Sequence, residues 1–359
     1  TYIAPAHLFG NNGLPLNEAY LAKPIGSGAF TVKELTKEAA TLTSYPIYYR
    51  GKPKLNEIHV KVYSNEKILL SDLINENLDL TFTDEASYLN LINNIEYLKV
   101  RSYHQFLYSV FLNLKNPFFK EKEIRQALNL AINKKMVKQL SKVNDEMAVS
   151  VTPPRSYTYK KQEIYPYNGQ EALQKIKKQG WQTTKSGKLK QGNKEFVFDL
   201  LVSKGDKLSQ ELAKIIQLNL NEIGIQTRVK LLELAEVIKL VFNKKDFDAA
   251  ILFYTSLNPI EMDVLYWGNT QNKGFNFTSY DNAKAREYLE KAKYASNKEN
   301  SMTSYHRFQE IIHEDPPMIY LFWKDVPIVQ HKRVKGLQSN PFFLFKEMNQ
   351  VWIDENNDV

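Results

Sequence analysis

Cysteine is absent from the 359 residues, and that one absence excludes disulfides, thiolate metal sites and a cysteine nucleophile while leaving the compartment open. No run approaches the ~20 consecutive apolar residues of a membrane-spanning helix, and the first residues lack a basic segment followed by an apolar signal core. The chain opens at Thr1 without an initiator methionine, as a processed or trimmed sequence does. Histidine is sparse, at six residues, and His7, His59, His104 and His331 stand alone in sequence, so no acid, base and nucleophile constellation assembles from them. Any RNA-recognition, helix-turn-helix or zinc-finger pattern is missing as well. The net charge of +8 is carried by lysines scattered singly and in pairs among Glu and Asp with no basic stripe, the pattern of a solvated surface and not of a nucleic-acid binder.

What is present is the composition of an ordinary globular protein, with 43% hydrophobic, 25% charged and 12% aromatic residues. The 21 tyrosines and 19 phenylalanines serve packing first and also hint at a binding cleft. A chain of this length exceeds the ~150 residues of a typical domain, which predicts two compact units or one large discontinuous one.

Periodicity organises the chain. Residues 58–63 alternate as a strand, 66–78 carry apolar residues at helical spacing, and 78–82 form a second short strand. Residues 103–114 are dense in aromatics and β-formers and end at Asn116-Pro117. Ile124, Ala127, Leu128, Ala131, Ile132 and Met136 share one face and predict a long amphipathic helix over 121–140. After Thr152-Pro153-Pro154 comes a short helix at 170–178, stopped by Gly180 with Trp181 packing behind it. Residues 196–202 alternate, 208–223 are helical and 225–231 alternate again, a second strand-helix-strand unit. Parallel strands need such crossovers, so the region predicts an α/β domain. A further strand lies at 247–254, helices follow from Asp281 or Asn282 to 295 and over 302–313, and 318–323 is again a strand. Aromatic strands at 103–114 and 318–323 thus bracket a long insertion, as two linkers of a hinge would. The first and last segments then form one lobe and the middle forms the other, with a cleft between them.

Several motifs read as structure. Gly26-Ser27-Gly28 lacks a third glycine and does not lead into an evident helix start, so it is a turn and not a phosphate loop; a Gly-x-Ser-x-Gly elbow is absent too. His306, Glu310 and His313 stand at helical spacing, but not in the zinc-protease order, and a solvated helix face is their default. Arg125 is expected to tie its helix to a neighbouring carboxylate or carbonyl.

Blocks running nearly the whole chain resemble a known family. Pro24-Ile25-Gly26-Ser27-Gly28-Ala29-Phe30, Tyr48-Tyr49-Arg50-Gly51-Lys52-Pro53-Lys54-Leu55, Asn75 to Leu80 with Asp79, and Asn113 to Val137 with Ile124-Arg125-Gln126-Ala127-Leu128-Asn129-Leu130-Ala131-Ile132 are similar to blocks of the peptide-, dipeptide- and nickel-type (family 5) solute-binding proteins of ABC importers. Pro153-Pro154, Tyr167-Asn168 with Gly180-Trp181, Gln217 to Ile225, Phe247-Asp248 and Glu314 to Leu337 fall in the family's order. The resemblance implies a two-lobe, α/β, periplasmic-binding-protein-like fold (type II, large peptide-binding class) with its N-terminal portion missing. One lobe comprises residues 1–114 plus 319–359 and the other 115–318. It also implies an extracytoplasmic location, periplasmic or at the cell surface, with any signal or lipid anchor lying upstream. The implied partners are a small peptide or peptide-like solute and the ABC permease, with no nucleic acid and no cofactor, and the chain is expected to be a monomer.

The same resemblance points to the segment from Asp248 to Trp267. In peptide-binding relatives an aromatic residue there precedes an aspartate that pairs with the peptide's α-amino group. Here Phe253 and Tyr254 supply aromatics, Thr255 or Ser256 takes the aspartate's place, and Asn258-Pro259 supplies the turn. A hydroxyl does not replace that charge, which leaves Glu261 or Asp263 to compensate, or a solute held differently: another peptide mode, a haem-like or metal-chelate ligand, or a sugar. The candidate ligand-binding residues are Tyr108, Phe253, Tyr254, Thr255, Ser256, Asn258 and Trp323. The rival of another class is an α/β hydrolase or transferase using Glu261 and Asp263.

Overall fold

A computed structural model describes residues 24, 26–83, 86–141, 145–254, 267, 275–338, 345 and 347–355, without the side chains of 86, 87, 102–105 and 254. The chain divides into two compact units, one of Thr1–Tyr103 with Val326–Val359 and a second of His104–Asp325.

In the first unit, bends at 27–29 run straight into β1 (Phe30–Leu35), so Gly26-Ser27-Gly28 leads into a strand and not into a helix. With β2 (Ala39–Ser44) and β3 (Glu57–Lys61) it forms an antiparallel meander. Helix α1 (Glu66–Ile74) starts where the Asn65 side chain accepts from Lys67 N at 2.8 Å, and it buries Leu70 and Leu73. Beyond it Glu76 holds φ +62°, a left-handed position that glycine normally takes. Its side chain and carbonyl are gripped by Arg333, Nη1 to Oε2 at 3.1 Å and Nη2 to O at 2.9 Å, and Arg333 Nε donates to Asp79 Oδ1 at 2.8 Å. Next come β4 (Leu80–Phe82), α2 (Ala86–Ile92) and β5 (Leu98–Leu112). Leu70, Leu73, Ile92, Leu98 and Val329 close this core.

Strand β5 passes from one unit into the other. The sequence predicts one helix over 121–140; the structure has two, α3 (Lys122–Ala131) and α4 (Lys134–Leu140). Ile132 turns extended, and Asn133 caps α4 by accepting from Lys135 N at 3.0 Å and Met136 N at 3.3 Å. The Asn133 amide in turn donates to Asn219 Oδ1 at 2.9 Å. After β6 (Glu146–Met147), α5 (Gly169–Lys178) ends at Gly180, φ +89°, and Trp181 is buried against Phe196 at 4.5 Å, as its position predicts. A small antiparallel meander follows, β7 (Gln182–Thr183), β8 (Leu189–Gln191) and β9 (Lys194–Glu195).

Strand β10 (Val197–Ser203), helix α6 (Lys207–Glu222) and strand β11 (Gln226–Leu232) form the expected crossover, with β10 and β11 parallel throughout. Gly224, φ +86°, must be glycine, because a Cβ there would lie 2.4 Å from the Gly187 carbonyl oxygen. Helix α7 (Leu234–Ile238), a π-helical turn at Lys239–Lys244, β12 (Ala249–Tyr254), α8 (Ala283–Lys293), α9 (Lys298–Glu314) and β13 (Met318–His331) complete the second unit, β13 leaving it for the first. Strand order is β11-β10-β12-β5-β13, with β12 parallel to β10 and antiparallel to β5.

Alternation along these strands fills two cores. Tyr108, Val110, Leu112, Leu200, Val202, Ala249 and Ile251 pack with α3, α4, α5 and α6. Leu107, Phe111, Leu201 and Ala250 pack with α7, α8 and α9 on the other face. Because Leu107 to Leu112 and Met318 to Trp323 belong to these cores, the division falls at 103/104 and 325/326, inside β5 and β13 and not at their ends near 114 and 319.

Candidate functional site

Parallel α/β sheets present ligands to the carboxyl ends of their strands, where loops replace packed side chains. In the second unit that end is reached by Ser203, Leu232 and Tyr254. Register puts Phe253 directly opposite Tyr108, and Tyr254 opposite Leu107. Phe253 follows Ala249 and Ile251 on the same side of β12, but there the helical cover has run out. Its side chain is 51% exposed, whereas Tyr108 is 7% exposed. The rings form a step: Tyr108 stacks on Phe322 at 5.5 Å and 12°, Phe253 leans on Tyr108 at 5.7 Å, and Phe106 meets Phe253 edge-on at 5.6 Å. Such a surface offers apolar contact and π-faces, and its buried layer fixes the orientation of its exposed one.

Of the seven candidate residues, the structure brings Tyr108 and Phe253 together. Tyr254 ends the strand, and its side chain is not among those described. Thr255, Ser256 and Asn258 lie outside the described residues, as do Glu261 and Asp263 of the rival reading. Trp323 is a correction. Its indole is wholly enclosed and donates to Ser150 O at 3.3 Å, so it is a core side chain and not a contact surface.

One cluster escapes sequence reasoning. Asp325, in the strand near the exit from the second unit, is 2% exposed; its N–H donates to Asp145 Oδ1 at 2.8 Å, and its Oδ1 lies 3.6 Å from Arg155 Nη1. Lys138 Nζ donates to Asp145 O at 2.7 Å. The only signal in the sequence is a Lys324-Asp325 pair interrupting an apolar run. Nearby, Lys134 Nζ donates to Tyr320 O at 2.7 Å, and burial pushes this amine down to about 7 although its stem keeps some solvent contact.

Arg125 fulfils its structural expectation. Its guanidinium, 4% exposed, donates to Pro316 O at 2.9 Å, to Phe119 O and Lys120 O, and to the Asp315 carboxylate. Asp248 is likewise structural, accepting from Asn116 Nδ2 at 2.7 Å and Asp199 N at 2.9 Å. Of His306, Glu310 and His313, the last two are otherwise engaged, and His306 Nε2 is buried with no hydrogen-bond partner among the described residues. Glu310 pairs with Lys160, which holds its carboxyl below the usual range, and with Arg307; His313 Nδ1 meets Val149 O at 2.8 Å. Among the described residues no group of three or more His, Asp or Glu is placed to hold a metal.

Two α/β units crossed by two long strands, the second unit ending in an aromatic step, define a periplasmic-binding-protein-like architecture. The model of the bacterial extracellular solute-binding proteins, family 5 (middle), matches residues 11–276, and the chain belongs to that family. It is 28% identical to the oligopeptide-binding protein AppA of Bacillus subtilis, covering 98% of this chain and 67% of that one. Against the probable D,D-dipeptide-binding periplasmic protein DdpA of Escherichia coli the identity is 24%, over 88% and 60% of the two chains. The chain thus spans 60% to 67% of the length of these curated relatives. The structure of Bacillus subtilis AppA in complex with a nonapeptide matches with a TM-score of 0.78 and 25% identity over 98% of this chain and 72% of that one. NikZ from Campylobacter jejuni, in complex with Ni(L-His), shares the fold, with a TM-score of 0.77 and 24% identity over 97% and 72%.

Proposed function

We propose that this chain is the solute-binding part of an ABC importer component that captures a peptide or peptide-like solute outside the cytoplasm and delivers it to a membrane permease. It acts as a monomer, at the cell surface or in the periplasm, and it binds without a chemical step. The observation that carries the reading is the half-exposed Phe253 ring, fixed at the carboxyl end of β12 on the buried Tyr108–Phe322 stack. Rigid aromatic surface of this kind gains contact area at little cost in side-chain entropy, which suits a site that must accept varied side chains. The family membership and the peptide named in the AppA complex support the same solute class.

Native mass spectrometry of the chain after incubation with a mixed peptide digest tests the reading. A retained peptide mass that is reduced in Phe253→Ala is the expected result. Retention of haem or a metal chelate in place of peptide moves the solute to that class, and retention of nothing by the wild-type chain contradicts capture by this site.

A further inference from the structure

The even scatter of lysine expected from the sequence fails in one place. Between Glu171 and Glu195 there are seven lysines, at 175, 177, 178, 185, 188, 190 and 194, and no acidic residue, in a chain whose whole net charge is +8. The rest of the molecule is therefore close to neutral. The fold gathers this segment into one module, the last turns of α5 and the β7-β8-β9 meander, whose tips turn at Gly187 (φ +81°) and Gly192 (φ +59°). Lys188 and Lys190 share Glu195 at 3.7 and 3.4 Å, and Lys175 reaches Gln126 Oε1 at 3.4 Å. Lys177, Lys178, Lys185 and Lys194 are exposed, and among the described residues none meets a carboxylate.

We infer that this module is an electrostatic docking surface for an anionic lipid bilayer. Unpaired like charges crowded on a short meander repel one another and are relieved by a surface of opposite sign. The one aromatic residue of the segment, Trp181, is buried beneath the meander, 6% exposed, so the module lacks the exposed stacking ring that binders of single-stranded nucleic acid combine with positive charge. Membrane attachment is a separate matter from solute capture, and it brings the protein to the plane in which a permease lies.

Co-sedimentation of the 359-residue chain with phosphatidylglycerol vesicles and with phosphatidylcholine vesicles tests this. Each lysine near an anionic bilayer contributes roughly fivefold in partition. The expected result is binding to phosphatidylglycerol only, abolished by about 0.5 M salt and weakened at least about a hundredfold in K177E/K178E/K185E/K194E. The reference variant K207E/K230E/K284E/K293E changes net charge equally on exposed lysines elsewhere, and it retains binding to within about tenfold. Equal loss in both variants assigns the attraction to overall charge and overturns the inference. No binding at low salt overturns it too, as does binding to a soluble polyphosphate but not to vesicles. Circular dichroism of both variants separates loss of binding from loss of fold.

Discussion

Arg125 and Phe253 belong to the same unit, at opposite ends of its central strands, and they do opposite things. Arg125 lies in the most recognisable run of the sequence and spends its guanidinium on three carbonyls and the Asp315 carboxylate. Phe253 sits beyond the end of that scaffold with half its ring unclaimed. A buried cation with all these acceptors met is accounted for by the fold alone and says nothing about a ligand. An exposed ring is constrained only by what comes to meet it.

The largest expected effect comes from breaking the first of these. Arg125→Ala leaves Asp315 and three carbonyls without their donor and should cost about 3–5 kcal/mol of stability, read by urea denaturation. Solute affinity, corrected for the folded fraction, should not change; a binding defect in the folded fraction would erase the contrast. Phe253→Ala is the converse. Solute affinity should fall about two- to tenfold, from lost aromatic contact of roughly 0.5–1.5 kcal/mol, while the denaturation midpoint moves little.

Lys134 sharpens the comparison, being a second enclosed cation whose ammonium donates to one carbonyl in place of four acceptors. Its folded pKa, about 7, lies below the ordinary 10.5. Between those values the unfolded chain holds more protons than the folded one, so stability rises as pH increases through this window and the full burial penalty remains below it. Denaturation at about pH 6.5, 8 and 9.5 should show that rise in the wild type, and Lys134→Met should flatten it and be the more stable protein at the lowest pH. The smallest effect lies in the first unit. At Glu76, φ +62°, glycine should be more stable than alanine by about 1 kcal/mol, since both lose the carboxylate contact with Arg333, both keep the carbonyl one, and only alanine keeps the strain.

Much of the fold is legible because alternation and helical spacing report directly on which face is buried. The α3–α4 break is not, because Ala131, Ile132 and Met136 keep helical spacing across it. What breaks the helix is the Asn133 cap and its bond to Asn219, a residue far along the chain. Strand β13 similarly reads as ending at Trp323, since Lys324 and Asp325 interrupt the apolar run and the contacts of Asp325 with Asp145 and Arg155 are nonlocal. At the site, the aromatic character of Tyr108 and Phe253 is visible in sequence, but their pairing depends on the register of an antiparallel strand that arrives from elsewhere. Trp323 is equally suitable by composition, and only burial separates it from Phe253.

Calorimetric titration of one captured peptide into the wild type and Phe253→Ala, at matched folded fraction, addresses the central assignment most directly. A loss of about two- to tenfold in affinity with an unchanged unfolding midpoint is the predicted result. Equal affinity in the two proteins would contradict it.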